Sequence, residues 1–454
     1  MQQKVAVIGG GLAGSEVTWK LAQNGIGVTV FEMKPGKFSP AHNNDKLGEL
    51  VCSNSFRSDM LFSGVGLLKQ EMRKAKSLVM QAAEETRVPA GKALAVDRDR
   101  FAEYVTNALQ ALPEVEILRQ EITGIDDPVL SDYSSVVIAT GPLSSESLAE
   151  SVLTAIGDQG LYFYDAIAPI VSTDSINWDK VFFASRYDPE SSDYLNCPLN
   201  EEEYYRLRQA LLTGERVNPE SFESQKHFEG CLPVETLAER GEMTLAFGPL
   251  KPVGLEDPRT GETPFAVVQL RAENLEKTMF NLVGFQTKLT YRAQKETFTL
   301  IPGLENANFL RLGSIHRNTY INSPHVLTPY LEIKDRPGIY LAGQITGVEG
   351  YVESAACGVW LGLYLAGRYK NVQVDLPPED TALGGLLKHL RTPAKDFQPM
   401  NVNFGLLPAL NQKAKKRKRK ELYVQRAEQS WQQWWEKEVS NLAPSTCLDF
   451  GDHF

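Results

Sequence analysis

No stretch of this chain stays apolar for the ~18–20 residues that a membrane helix needs, so its 454 residues predict no membrane span. Cysteine is scarce. The five, at positions 52, 197, 231, 357 and 447, are odd in number and include no CxxC pair. That argues against a disulfide framework and against a zinc site, and no metal is expected. Reduced thiols in a cytoplasmic protein are the simplest reading. The opening MQQKVAVIGG runs straight into a strand, without the basic, apolar and small-residue segments of a secretory signal. Positive charge is in the minority, with 47 Lys and Arg against 57 Asp and Glu. Taken alone, that balance argues against a nucleic-acid partner. The exception is KAKKRKRK at 413–420. Such a patch attracts phosphate even on an acidic protein, because screening limits the reach of distant charge.

What is present is a globular chain long enough for two or three domains. KVAVIG at 4–9 reads as a buried parallel strand, a helix follows from about Leu12 to Gln23, and VTVFEM at 28–33 gives a second strand. Together they form one βαβ unit. Residues 34–63 read as a long loop. Residues 64–85 read as one amphipathic helix, with Leu68, Met72, Ala75, Val79 and Ala82 near one face. Asp97 is placed to cap a helix through Phe101, Val105 and Leu109. VEIL at 115–118 and SVVIATG at 135–141 predict further strands. Between about 155 and 305, segments such as TLAFGPL, FAVVQLRA and TMFNLVGF predict a mainly antiparallel sheet with a few helices. GIYLAGQITGVEGYVESAACG at 338–358 then returns to strand, glycine turn and helix. Residues 408–438 predict a charged helix whose Trp431, Trp434 and Trp435 share a face. The expected fold is α/β: a doubly wound, Rossmann-type domain formed by 1–155 and 306–454, interrupted by a smaller α+β domain at 156–305.

Gly9, Gly11 and Gly14 form GxGxxG, directly after the first strand and, with Gly10, Leu12 and Ala13, at the start of the first helix. Gly9 permits the tight turn, Gly11 lets backbone approach a pyrophosphate, and Gly14 lets helix and strand pack closely. The helix N-terminus favours phosphate. Glu32 ends the second strand, where a carboxylate can accept from ribose hydroxyls. A lone GxGxxG is weak, but here strand, glycines, helix, strand and acid stand in register. VVIATG at 136–141 resembles a motif that flavoproteins carry after the first nucleotide. IYLAGQITG at 339–347 resembles the late segment that closes around the flavin in the glutathione-reductase-like superfamily. Both point to FAD rather than NAD as the bound dinucleotide.

Four further segments are distinctive: HNNDKLGELVCSNSFRSD at 42–59, KALAVDRDRF at 92–101, GCLPVETLAERG at 230–241 and GQITGVEGYVESAACG at 343–358. With the glycine loop they resemble the folate- and FAD-dependent tRNA (uracil-5-)-methyltransferase family, TrmFO, a small GidA-like family. The resemblance runs from residue 4 to about 412. It implies methylation at C5 of the T-loop uridine, position 54 of tRNA. The carbon would come from 5,10-methylenetetrahydrofolate and the electrons from NADH or NADPH through FAD, with tRNA engaged by its T-arm. Two other readings stand beside it, a GidA/MnmG-like enzyme of the wobble uridine and a general FAD oxidoreductase. A third is a tRNA-binding factor that keeps FAD for structure alone. The chain is short for the extra C-terminal helical domain of the wobble enzyme.

Uracil C5 is a poor nucleophile. A thiolate adding at C6 creates an enolate that activates C5, and a general base must later remove the C5 proton. By resemblance Cys231 matches the cysteine that attacks C6, and Cys52 the cysteine near the flavin that acts as base or as carrier of the methylene unit. Cys357 lies in an apolar helical run and reads as packing. Gly343, Gln344, Gly347 and Tyr351 are candidates to contact the flavin, Tyr351 by stacking, although tyrosine on a helix is more often simply packed. His316 could stack on a pterin and Arg317 pair with a folate carboxylate; a domain-boundary loop with satisfied polar groups explains them equally well. Lys92 and Arg98 could bind phosphate or be merely solvated. The basic run would track the tRNA backbone, and the target base would be flipped out of its stack.

Overall fold

The computed structural model describes residues 4–157, 160–186, 188, 190–217, 232–411 and 415–442. Its first sheet is parallel throughout. The strands stand in the order Ile339–Leu341, Ser135–Ile138, Lys4–Ile8, Gly27–Phe31, Val115–Leu118. The three inner strands are buried almost throughout, as their unbroken apolar runs require. The helix Leu12–Gln23 crosses between the first two strands and lies against Tyr351–Lys370. Glycine sets that spacing. A Cβ at Gly358 would fall 2.3 Å from the Ala13 carbonyl oxygen, and one at Gly362 would fall 2.6 Å from Lys20 Cβ.

The single helix expected over 64–85 is two, Gly64–Lys74 and Leu78–Glu85. The break has a distant cause. At Lys76 φ is 53°, and the first helix of the chain supplies polar partners to both sides of it. Lys20 Nζ donates to the carbonyls of Ala75 (2.6 Å) and Lys76 (2.8 Å), and Trp19 Nε1 to that of Lys76. The Glu16 carboxylate accepts from the Val79 and Leu78 amides and the Ser77 hydroxyl. Burial raises Glu16 above the usual carboxylate range, and burial, offset in part by Glu16, pulls Lys20 down to about 8. The apolar period reads through because both helices face one core. Within the expected loop 34–63, Ser55–Ser58 is a short strand paired with Ala93–Val96. Asp97 caps its helix as expected, accepting from the Asp99 and Arg100 amides.

A second sheet of six antiparallel strands holds its own core. Its order is Phe182–Ala184, Tyr194–Leu199, Ala266–Ala272, Met279–Leu282, Ile170–Ser172, Phe309–Arg311. TLAFGPL contributes no strand to it. Thr244–Phe247 is one helical turn that buries Leu245 and Ala246 and leaves Phe247 81% exposed. Pro249, which lacks an N–H for a ladder, follows at once. Gly160–Ala166 and Ile315–Ile321 pair antiparallel as a two-stranded ribbon where the chain leaves the first body and returns to it. The C-terminal helix Lys416–Trp434 buries Trp431 and Trp434 beside Trp360, and Trp435 stacks on Trp431. Among the described residues no helix is long and apolar enough to cross a membrane.

Glu71 is buried and accepts from the Ala382 (2.7 Å) and Leu383 (2.9 Å) amides, capping the helix Ala382–Arg391. Burial pushes its carboxyl up to about 8. A carboxyl raised on folding stabilises the fold below its unfolded value and loses that contribution as pH rises through the folded one. Urea titrations should therefore show stability falling as pH rises from about 4.5 to about 8, with a smaller fall in Glu71→Gln. Glu71→Ala, which orphans two amides, should cost ~2 kcal/mol at pH 6.

Candidate functional site

The glycines of the first turn are required for different reasons. Gly9 has φ +97°, and a Cβ there would meet the Ala139 carbonyl oxygen at 2.8 Å. A Cβ on Gly14 would lie 2.0 Å from the Gly9 carbonyl oxygen, and one on Gly10 would lie 2.3 Å from Leu47 Cδ2. Gly11 is different. Its nearest protein atom would be 3.9 Å away, its backbone is extended, and it lines a cleft of about 1020 Å³ open to solvent. Nothing in the protein demands glycine there, whereas a ligand approaching the backbone would.

The cleft runs from Glu32 past Gly9, Gly11, Leu12 and Ala13 to the Thr140–Ser145 turn, Gly343, Gln344 and Tyr351. Glu32 is buried, accepting from the Gly10 amide through Oε2 (3.0 Å) and the Lys34 amide through Oε1 (3.1 Å). It thus braces the glycine turn as well as facing the cleft. Gly343 has φ +83°, and its Cα side lies against Ala13, where a Cβ would come to 2.8 Å. Gln344 donates to Glu349 at 2.6 Å. Gly347 sits elsewhere, pressed on Phe397, where a Cβ would fall 2.5 Å from the ring.

Tyr351 joins this cleft to a second feature. Its hydroxyl accepts from the Cys52 (2.7 Å) and Ser53 (3.0 Å) amides, and its ring tilts on Phe56. Burial, then the charge of Cys52, holds the phenol above its ordinary value, so it stays a neutral hydroxyl. The Cys52 arm is tied on every side. Arg98 donates to the carbonyls of Leu50 (2.8 Å) and Cys52 (3.3 Å) and pairs with Glu273. Arg271 donates to Asn54 and Ser53, both at 2.8 Å. Arg57 pairs with Glu353 in the first turn of the helix that carries Tyr351. Burial works against the Arg98 charge, but Glu273, Tyr351 and Cys52 together outweigh it and raise Arg98; burial lowers Arg271. Cys52 is partly exposed, whereas Cys197 and Cys357 are buried, burial pushing the Cys357 thiol up to about 12.

Arg98 therefore serves the Cys52 arm, and Lys92 is exposed at the turn before Ala93–Val96. His316 and Arg317 fall on the ribbon strand, their side chains outside the described residues, as is Cys231. Sequence reasoning missed Arg271, Glu273 and Asn54, and gave no role to His42. His42 lines the cleft, and its Nδ1 shares a 2.6 Å hydrogen bond with the Ser39 hydroxyl. Burial, then Lys34, pulls it down to about 4, leaving a neutral ring. The HNND motif was the available signal for His42; the strand end RAEN at 271–274 was that for Arg271 and Glu273. Among the described residues no group of three or more His, Cys, Asp or Glu could hold a metal ion.

Tyr351→Phe removes one acceptor from two amides while keeping the ring. Steady-state assays should show turnover reduced roughly 10–100-fold, the range expected when a reacting group is displaced by about 1 Å, with bound flavin unchanged.

Residues 4–373 match the family model described as glucose inhibited division protein A. The methylenetetrahydrofolate–tRNA-(uracil-5-)-methyltransferase TrmFO of Oleidesulfovibrio alaskensis is 62% identical over 95% of this chain and 96% of its own. Its counterpart in Geobacter sulfurreducens is 55% identical over 96% and 99%. Among solved structures, Aquifex aeolicus GidA superposes with a TM-score of 0.68 at 17% identity, over 97% of this chain and 76% of that one. That likeness concerns the fold.

Proposed function

The chain belongs to the TrmFO family of methylenetetrahydrofolate–tRNA-(uracil-5-)-methyltransferases, and from that premise we propose a division of labour within its cleft. The enzyme methylates tRNA at uracil C5 with a carbon from methylenetetrahydrofolate, using FAD. The residues present fit FAD: a glycine turn with room at Gly11, a second tight turn at Gly343, and a cleft long enough to connect them. When bound and in its reduced form, the flavin would supply the electron pair that takes a methylene-level carbon to methyl.

Gly9–Gly14 hold the pyrophosphate, Glu32 the ribose, and Gly343 and Gln344 the flavin end. Cys231 adds to C6 of a flipped uridine at position 54 in the T-arm, and the electrons originate with NADH or NADPH. Cys52 serves at C5, as base or as carrier of the one-carbon unit. The observation that carries this assignment is Tyr351, which lines the dinucleotide cleft and holds the Cys52 amide. Lys92, His316, Arg317 and the basic run 413–420 are candidates for RNA or folate contact, and the cytoplasm is the compartment that supplies both.

The test is to incubate the full chain with unmodified tRNA, NADPH and labelled methylenetetrahydrofolate and map the product. Label at C5 of the T-loop uridine is expected. Label elsewhere, or only with S-adenosylmethionine, defeats the reading. A Cys231→Ala enzyme that methylates normally removes the nucleophile assignment and leaves the family intact.

A further inference from the structure

Phe309–Arg311 is the edge strand of the second sheet, and its pairing is irregular. Phe309 faces Val171 and Arg311 faces Ile170, so two steps on one strand match one step on the other. The extra residue, Leu310, is 51% exposed. A bulge of this kind re-aims the side chain that follows it and is common beside active sites. Here the following side chain is a partly buried arginine. Its charge is felt by His42 in the cleft wall, and it interacts with Arg98, Tyr351, Cys52 and Glu273.

Each other cation of this cluster has a partner: Arg98 has Glu273, and Arg271 has Asn54 and Ser53. The Arg311 guanidinium makes no hydrogen bond or ion pair to a described residue. It also faces repulsion from Arg98. A guanidinium cannot shed its proton to escape such a site, and buried charge is ordinarily paired. Among the described residues no carboxylate pairs with Arg311, and Glu273, whose charge favours it, is already paired with Arg98.

We propose that Arg311, re-aimed by the bulge at Leu310 toward the space around Cys52 and Tyr351, recognises an oxyanion of a substrate: a carboxylate of the one-carbon donor or a phosphate of the RNA. This rests on the methyltransferase reading above. Arg311 then helps to select which polyanion enters beside the reactive thiol, and a planar fork suits either group.

The experiment uses full-length, flavin-loaded wild type, Arg311→Gln and Arg311→Lys. Equilibrium binding is measured for tetrahydrofolate, for tetrahydropteroate lacking the glutamate, and for an unmodified tRNA transcript over a range of salt. The glutamine variant should bind either tetrahydrofolate or tRNA about tenfold more weakly, with partial rescue by lysine, as for loss of a charge-assisted bond. If the donor's carboxylate is the partner, tetrahydropteroate binds wild type and variant alike. If RNA phosphate is, the slope of log affinity against log salt falls by roughly 0.7–0.9. Unchanged binding of both substrates, within about twofold, overturns the proposal. That includes the case in which only the pH profile of Cys52 alkylation moves, which would make Arg311 a partner of the thiol alone. Wild type that fails to methylate tRNA counts against the family-based reading, while these binding arms remain readable.

Discussion

Cys52→Ala should fold, hold flavin and lose methyl transfer by roughly 10²–10⁴-fold, the contribution of a positioned acid–base group. The loss follows from where the thiol stands. It is partly exposed on an arm whose amide is gripped by Tyr351 and whose carbonyl is gripped by Arg98. Arg98, Arg271 and Arg311 all interact with it electrostatically. Reactive cysteines sit in partly exposed, electropositive surroundings of this kind. Cys197 and Cys357 lack this setting, buried among apolar side chains. Brief treatment with iodoacetamide followed by peptide mass mapping should therefore label Cys52 well ahead of Cys197 and Cys357. Full activity in the alanine variant would remove Cys52 from the chemistry.

Gly11→Val and Gly14→Val should fail in different ways. At Gly14 the new Cβ meets the Gly9 carbonyl oxygen at 2.0 Å, a backbone atom that cannot turn aside. That variant should lose several kcal/mol, about 3 or more, as overpacked sites do, and it should lose its secondary structure on mild heating. At Gly11 the protein leaves room and the backbone is extended. Its valine variant should keep the fold by circular dichroism and thermal melting, yet bind FAD more than about 100-fold more weakly. It should emerge colourless and inactive. A yellow, active Gly11→Val enzyme would contradict the placement of the dinucleotide.

Local features were legible in the sequence because their causes are local. The first strand, glycine turn and helix lie within twenty-three residues, and Asp97 caps a helix it directly precedes. The break at 75–77 was not legible, because the side chains that satisfy it belong to Glu16, Trp19 and Lys20. TLAFGPL misled because a short apolar run reads alike as strand or helical turn. At the site, Cys52 and Tyr351 each stood in a recognisable motif, but their hydrogen bond spans 299 positions. Arg271 reaches Asn54 across 217 positions. The role of Arg311 depends on one unmatched residue in a strand pairing, which no spacing within the strand records.

The ribbon of Gly160–Ala166 and Ile315–Ile321 makes the route out of the first body and the route back into it neighbours. A chain built this way can be cut between Ala166 and Ile315 and closed with a short turn, leaving an intact hairpin. Such an excision would spare the glycine turn, Glu32, Gly343 and Tyr351, the parts that line the dinucleotide cleft. It would take away Glu273, Arg271 and Arg311, and with them the second sheet's hold on the Cys52 arm. The excised protein should therefore keep flavin binding, read from its absorbance, and lose methyl transfer.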